Sequence, residues 1–423
     1  MNGGKIAFAI VLTFWNGSLA AQGFPGWYTF DTLTSPLPSN LITSLDVAPN
    51  RTVWMGTSSG LASLSEQLNW NLWDTANSPL TDNWIKTLHR EASGTLWIGT
   101  LSGGLFGFNN GAWTHYHSGN APWLTNNVGA VLRRANGDLW VGTHGQGVYV
   151  LANSAWQHLS PASIGLDLSY VNALAEDDSG CVWVATHNAG LLKFCSGGWT
   201  AYNTLNTNFN SLHVQTVAMG PDGRIWVGLS GSRPDSALHC LDRTTGTWTL
   251  FGATHTGGQG ISQVWDLHFD QFQRLWIATN EITCGAWLYN DTVFTCLSAG
   301  YSGLAQNRVF AVRERQDTSY WFATLSGLSY FKPAFATSLE TADTAVIHVG
   351  PIPCDMELVV ASESSNPLRS LRIFHPSGNC VRQWQAMQSA QKVVLPLSDL
   401  KAGWYILEIK TSRSFAVRRI LKV

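Results

Sequence analysis

The sequence predicts an all-β protein, a seven-bladed β-propeller followed by a small C-terminal β-sandwich. Three observations carry this. First, one motif recurs seven times: Trp54-Met-Gly-Thr57, Trp97-Ile-Gly-Thr100, Trp140-Val-Gly-Thr143, Trp183-Val-Ala-Thr186, Trp226-Val-Gly-Leu229, Trp276-Ile-Ala-Thr279 and Trp321-Phe-Ala-Thr324. The first five tryptophans are 43 residues apart at each step, and the last two steps are 50 and 45. Second, the 423 residues include 40 Gly and 21 Trp but only 12% charged residues, about half the usual share of roughly 25%. Many short strands with tight turns produce that balance, whereas coiled coil and disorder do not. Third, the repeat stops after Phe335, and period-two strands follow to the end.

The elements follow in chain order. Residues 1–21 have a basic start, an apolar run from Ile6 to Trp15 and small residues near Ala20. This is the pattern of a secretory signal peptide, and its run is too short to span a bilayer. Residues 22–335 form the propeller. In the second unit, Asn83 to Leu88 is strand A and Leu96 to Thr100 is strand B. A Gly-rich turn leads to Leu105–Phe108, strand C, and an Asn-Gly turn leads to Trp113–Tyr116, strand D. Four short antiparallel strands every 40–45 residues make a propeller blade. The unit of Trp321 lacks a D strand, and a matching segment, Trp27-Tyr-Thr-Phe30, stands near the other end. Pairing the two would close the ring and remove two open sheet edges. Residues 336–346 read as a small, polar linker. Residues 347–423 carry the sandwich, with strands expected at 356–361, 370–374, 392–397, 404–409 and 414–423.

The repeats resemble the two-component-regulator propeller family, most closely at Asn136-Gly-Asp-Leu-Trp-Val-Gly-Thr143 and Gly94-Thr-Leu-Trp-Ile-Gly-Thr-Leu-Ser-Gly-Gly-Leu105. The resemblance spans about residues 24–335. It implies a periplasmic, sensor-like module that recognises glycan fragments. The chain departs from the family plan in showing no transmembrane helix, kinase or response regulator. The C-terminal segment resembles the type A sorting domain of the type IX secretion system of Bacteroidetes-like bacteria. The similarity rests on Val349-Gly-Pro-Ile-Pro353, Ile373-Phe-His-Pro-Ser-Gly378, Leu400-Lys-Ala-Gly-Trp-Tyr405 and Arg418-Arg-Ile-Leu-Lys422. The family usually has Pro-Asn-Pro where this chain has Pro351-Ile352-Pro353. The resemblance implies passage across the outer membrane of a Gram-negative bacterium, with the outer-membrane secretion machinery as partner. The product is then secreted or held at the cell surface, its C-terminal module removed or linked during export.

Function is expected where the repeats disagree. Strand A has one position that is always Ile or Val: Ile42, Ile85, Val128, Val171, Val214, Val264 and Val309. The position before it reads Leu41, Trp84, Asn127, Tyr170, His213, Gln263 and Arg308. Strand A is innermost, so this register is expected to ring one mouth of the central channel. Trp84 and Tyr170 would stack on a ligand, Asn127, His213 and Gln263 would hydrogen-bond, and Arg308 would meet a carboxylate. The motif tryptophans are assigned to packing between sheets. The B–C turns are expected on the same face, with enlarged ones at 229–237 (Arg233, Asp235) and 280–285 (Glu281). His144 and His187 follow their blades' Thr143 and Thr186 and read as exposed loop histidines.

Charge and cysteine usage narrow the chemistry. The formal charge is −2 overall, −6 over residues 21–335 and +3 over 336–423, which gives nucleic acid no basic face to bind. No Cys-x-x-Cys pair or nucleotide-binding glycine pattern is present, so no metal and no cofactor is expected. Strand register around turns near Asn188 and Asp291 places Cys181 opposite Cys195 and Cys284 close to Cys296, within disulfide range. Cys354 with Cys380 is a third pairing, leaving Cys240 free. The expected function is an exported, monomeric, non-enzymatic propeller that binds a glycan or peptide at one channel mouth. The alternative is a polysaccharide lyase working through Tyr170, His213 and Arg308, or another glycan-active propeller enzyme.

Overall fold

The computed structural model describes residues 27–123, 125–159, 165–196, 198–231, 236–291, 293–300, 302–332, 347–350, 357–362, 367–375, 380–401, 403–411 and 415–422. The signal peptide and linker expected from sequence lie outside them. The described chain divides into two compact units, with the boundary near Trp27 and Phe331.

The first unit holds seven four-stranded sheets, the blades of a propeller. In each of the first six, strands A to D are consecutive in sequence and neighbours in the sheet. The A strands are Ile42–Val47, Ile85–Arg90, Val128–Arg133, Val171–Glu176, Val214–Met219, Val264–Phe269 and Val309–Glu314. Each starts at the Ile or Val itself, which in the second blade is two residues later than the expected Asn83. The seventh sheet takes its outer strand from Trp27–Phe30, beside Gly327–Phe331. Phe30 stacks on Trp321 at 6.1 Å and meets Trp70 of blade one edge-on at 5.9 Å. The first described strand therefore closes the ring.

The repeat motif is explained by packing between blades. All seven motif tryptophans are buried. Trp54 packs with Ile85, Leu88, Ile98 and Phe106 of the next blade, and Trp140 packs with Val171, Val182 and Val184. The third motif position must be small, because a Cβ on Gly56 would come 2.7 Å from Ile85 and one on Gly99 2.8 Å from Val128. The motif threonine closes the B–C turn: its hydroxyl donates to the carbonyl of the glycine opening strand C, as Thr100 does to Gly104 at 2.9 Å and Thr143 to Gly147 at 2.9 Å. Blade five has Leu229 at this position, and its turn is one of the two enlarged ones.

Every A strand carries a β-bulge at its second residue. Ile85 pairs with Thr100 and Thr87 with Gly99, so Lys86 is extra. The same shift occurs at Thr43, Gly129, Asn172, Gln215, Trp265 and Phe310. A regular strand sends its side chains alternately to the two faces of its sheet. In a propeller both faces pack on neighbouring blades, and only the sheet edge looks into the channel. The bulge turns one residue per blade out of that alternation, a side chain in six blades and Gly129 in the third.

The second unit has a three-stranded sheet and a four-stranded sheet. The first pairs Ile347–Gly350, Glu357–Ser362 and Lys392–Pro396. The second is ordered Cys380–Ala390, Leu368–Phe374, Gly403–Thr411 and Phe415–Lys422. Leu358, Val360, Leu371, Ile373, Leu407 and Ile409 form its core. Two strands go beyond the sequence reading, 347–350 and 380–390. The latter is an edge strand with Arg382, Gln383 and Gln385 in place of a regular apolar alternation.

Candidate functional site

A cavity of about 700 Å³ occupies the propeller channel. All seven bulge residues line it. The expected ring register is split. Leu41, Trp84 and His213 line the cavity, whereas Asn127, Tyr170, Gln263 and Arg308 stay at the rim. The bulge adds a second channel-facing position two residues further on, from Thr43 in blade one to Phe310 in blade seven. The rim residues still face the B–C turns, as expected. The carbonyls of Trp84, Asn127, Tyr170, His213, Gln263 and Arg308 accept the N–H of Leu101, His144, His187, Ser230, Asn280 and Leu325.

The cavity has two unlike walls. One is built by blades two to five. Lys86 Nζ donates to Asn127 Oδ1 and to His144 Nδ1, both at 2.8 Å. His144 is not the exposed loop residue the sequence suggests. Its ring lies over Gly129, where a Cβ would come within 2.6 Å of it. Tyr170, 45% exposed, meets His144 at 5.5 Å and His187 at 6.0 Å. His187 is exposed and lies against His213, with ring centroids 3.8 Å apart. His213 Nε2 lies 3.2 Å from Gln215 Oε1. The facing wall is aromatic. Trp265 and Phe310 meet edge-on at 5.0 Å, and Leu41, Leu325 and Trp84 extend this surface. Among the described residues, the buried Trp265 indole N–H has no hydrogen-bond partner.

Burial sets the charge of the polar wall. It lowers the Lys86 ammonium to a pKa of about 8. Burial, with the charge of Lys86 and then His187 behind it, lowers His144 to about 4. Burial, then His187, lowers His213 to about 4. Both imidazoles are therefore neutral at physiological pH, and Lys86 is mostly an ammonium. Asp266, the one carboxylate lining the cavity among the described residues, is held by Arg313.

The other expected site residues have structural partners. Gln263 Oε1 accepts a hydrogen bond from Asn280 at 3.2 Å. Arg308 is exposed, and its backbone bridges to Asn280. Glu281 is buried and accepts the N–H of Ser262 at 2.6 Å. Arg233 and Asp235 lie outside the described residues. Cys181 is bonded to Cys195 and Cys284 to Cys296, with Cα separations of 4.6 and 5.8 Å. Cys240 is a buried free thiol. The third expected pairing, Cys354 with Cys380, is not made: Cys380 is an exposed free thiol, and Cys354 lies outside the described residues. Among the described residues no three His, Cys, Asp or Glu side chains are grouped to hold a metal.

Two family models match this sequence. Residues 348–423 match the secretion system C-terminal sorting domain, and residues 165–188 match the two component regulator propeller. The chain joins regulator-type propeller repeats to a secretion sorting domain. The repeat match takes in Tyr170, Asn172 and His187 of the polar wall. The propeller repeats place this chain in the same fold as the extracellular domain assigned to the hybrid two component system BT3049 of B. thetaiotaomicron. The two are 15% identical, with a TM-score of 0.63 over 94% of this chain and 57% of that one. PorZ, a surface component of the type-IX secretion system of Porphyromonas gingivalis, is 14% identical, with a TM-score of 0.58 over 91% of this chain and 60% of PorZ. Virginiamycin B lyase from Staphylococcus aureus is 11% identical, with a TM-score of 0.58 over 72% of this chain and 98% of the enzyme. This chain thus spans less than two thirds of the first two proteins. No curated protein matches it significantly in sequence. The sorting domain marks the propeller for export by the type IX machinery, to the medium or the cell surface of a Gram-negative bacterium.

Proposed function

We propose that the exported propeller is a sensor-like binding module that recognises a glycan or a peptide at the channel mouth where the A strands begin. The observation that carries this is the pair of unlike walls. Trp84, Trp265 and Phe310 offer flat apolar faces, as a sugar ring or an aromatic side chain requires. Asn172, Gln215, His144, His187 and His213 offer hydrogen-bonding edges opposite them. The extracellular domain from BT3049 shares the fold and supports the reading of a sensor-like module.

Binding without turnover fits this chemistry better than the lyase reading. A glycosidase, as distinct from a lyase, would use two carboxylates across a cleft, and Asp266 is engaged by Arg313. An imidazole with a pKa of about 4, as in His213, is a weak base at neutral pH. The likeness to virginiamycin B lyase is a likeness of fold, at 11% identity.

The test is an array of oligosaccharides and peptides probed with the full-length exported protein and with Trp84→Ala and Tyr170→Ala. A hit lost in both variants supports the reading. Hits that both variants retain would place the site elsewhere. Unsaturated sugar ends accumulating from a bound polysaccharide would move the case to the lyase.

A further inference from the structure

We infer that Lys86, with His144 and Asn127 around it, is an anion subsite that takes a carboxylate or phosphate group of the bound ligand. This rests on the proposal that the ligand sits in the channel mouth, and it names the charge such a ligand carries.

The argument starts from an ammonium without a counter-ion. Among the described residues no carboxylate lies within ion-pair distance of Lys86. Lys193, by contrast, lies 3.8 Å from Asp177. Lys86 instead donates to two neutral acceptors, Asn127 Oδ1 and His144 Nδ1. An ammonium has three donors, so one is left for the cavity that Lys86 lines. Because an ammonium can only donate, His144 accepts at Nδ1 and keeps its proton on Nε2. That edge faces the Val171 carbonyl and the Asn172 side chain. The imidazole is thereby fixed as a neutral support for the ammonium.

The surrounding charges leave this position open. On the strands packed against the Lys86 strand, Asp46 is paired with Arg90 at 2.7 Å, and Arg133 is paired with Glu91 at 2.9 Å. His89 accepts the N–H of Arg133. His187 and His213 stand further round the same wall. Among the described residues no negative group is committed to the ammonium, and burying an uncompensated charge is costly. A ligand anion would relieve that cost, and the neutral imidazoles beside it could take up protons as it binds. Arg308, given this role by its place in the sequence, is exposed at the rim and outside the cavity lining.

The experiment uses the full-length protein with its lysines reductively ¹³C-methylated and followed by NMR. The chain has only eight lysines, and Lys86→Gln identifies the Lys86 resonance. Galacturonate, inorganic phosphate and neutral galactose are the probes. The expected result is a saturable shift with galacturonate or phosphate, raising the Lys86 pKa by about one unit, a tenfold preference of the anion for the ammonium. A response to galacturonate assigns a carboxylate, and a response to phosphate alone assigns a phosphate group. A Lys86 pKa unmoved by both anions would overturn the inference, as would an equal response to galactose. Those outcomes leave the array result untouched, so the anion subsite and the binding site can fail separately.

Discussion

Lys86 and His144 belong to adjacent blades, and the ammonium of one lies 2.8 Å from Nδ1 of the other. The ammonium adds to burial in holding the imidazole neutral. The contact exists because Lys86 occupies a bulge and because Gly129, the bulge residue of the next blade, leaves room for the imidazole.

The glycine is therefore expected to be intolerant of change. Gly129→Ala would drive a methyl into the His144 ring and the Val171 carbonyl. Overpacking of this kind costs about 1–3 kcal/mol. Thermal denaturation should show the loss, and the Lys86 pKa should change as His144 is displaced.

Stability should depend on pH through the neutral imidazoles. His144 and His213 both have pKa values lowered to about 4 in the folded protein. In the unfolded chain they titrate near the ordinary value of about 6.5. Between those values the unfolded chain binds more protons, so stability is lost as pH falls from about 6.5 to about 4. Each histidine should contribute about 1–2 kcal/mol to that loss, allowing for its partial exposure. Denaturant melts of His144→Gln and His213→Gln should show a shallower decline over this window than the parent. An unchanged slope would mean that neither imidazole is held neutral.

Two classes of aromatic residue should separate in one experiment. Trp84 and Tyr170 are 40% and 45% exposed, and their truncation to Ala should change stability by only about 0.5 kcal/mol. Trp140 is 2% exposed between two blades, and Trp140→Ala should cost about 3–5 kcal/mol. Ligand affinity should fall in the first pair.

Ring closure gives a further test. A chain starting at Ser35 lacks the outer strand of blade seven and the Phe30 contacts with Trp321 and Trp70. It should melt earlier and associate through the uncovered edge of Gly327–Phe331. Phe30→Ala alone should cost up to about 3 kcal/mol, at the low end for large aromatics because Phe30 is only partly buried.

The two disulfides close short segments, with sequence separations of 14 and 12. Each is expected to contribute about 3 kcal/mol. Peptide mapping without reductant should recover Cys181 with Cys195 and Cys284 with Cys296. Cys240 should stay unreactive until unfolding, because burial pushes its thiol pKa up to about 12.

The sequence by itself determined the blade. A Trp that fills the space between sheets, a small residue where a β-branched neighbour crosses, and a Thr that closes a turn are local requirements, and all three recur at a fixed period. Ring closure was also legible, since a unit without strand D and a lone D strand at the other end have one economical solution. So was the pairing of cysteines across a hairpin. The site was legible only in part. Trp84 and His213 reach the cavity from the register that precedes the Ile or Val, but Lys86, Asn172, Gln215, Trp265 and Phe310 reach it from the register that follows. A sequence alternates in the same way whether or not a strand is bulged, and only the pairing of A with B reveals the extra residue. Its trace was present all along: the position after the Ile or Val varies from Gly to Trp, more than packing between blades would allow. Tertiary structure alone decided that Lys86 of one blade meets His144 of the next. Residues 58 apart in sequence become neighbours because seven sheets wrap around one axis, and no local pattern encodes which side chain the next blade will leave room for.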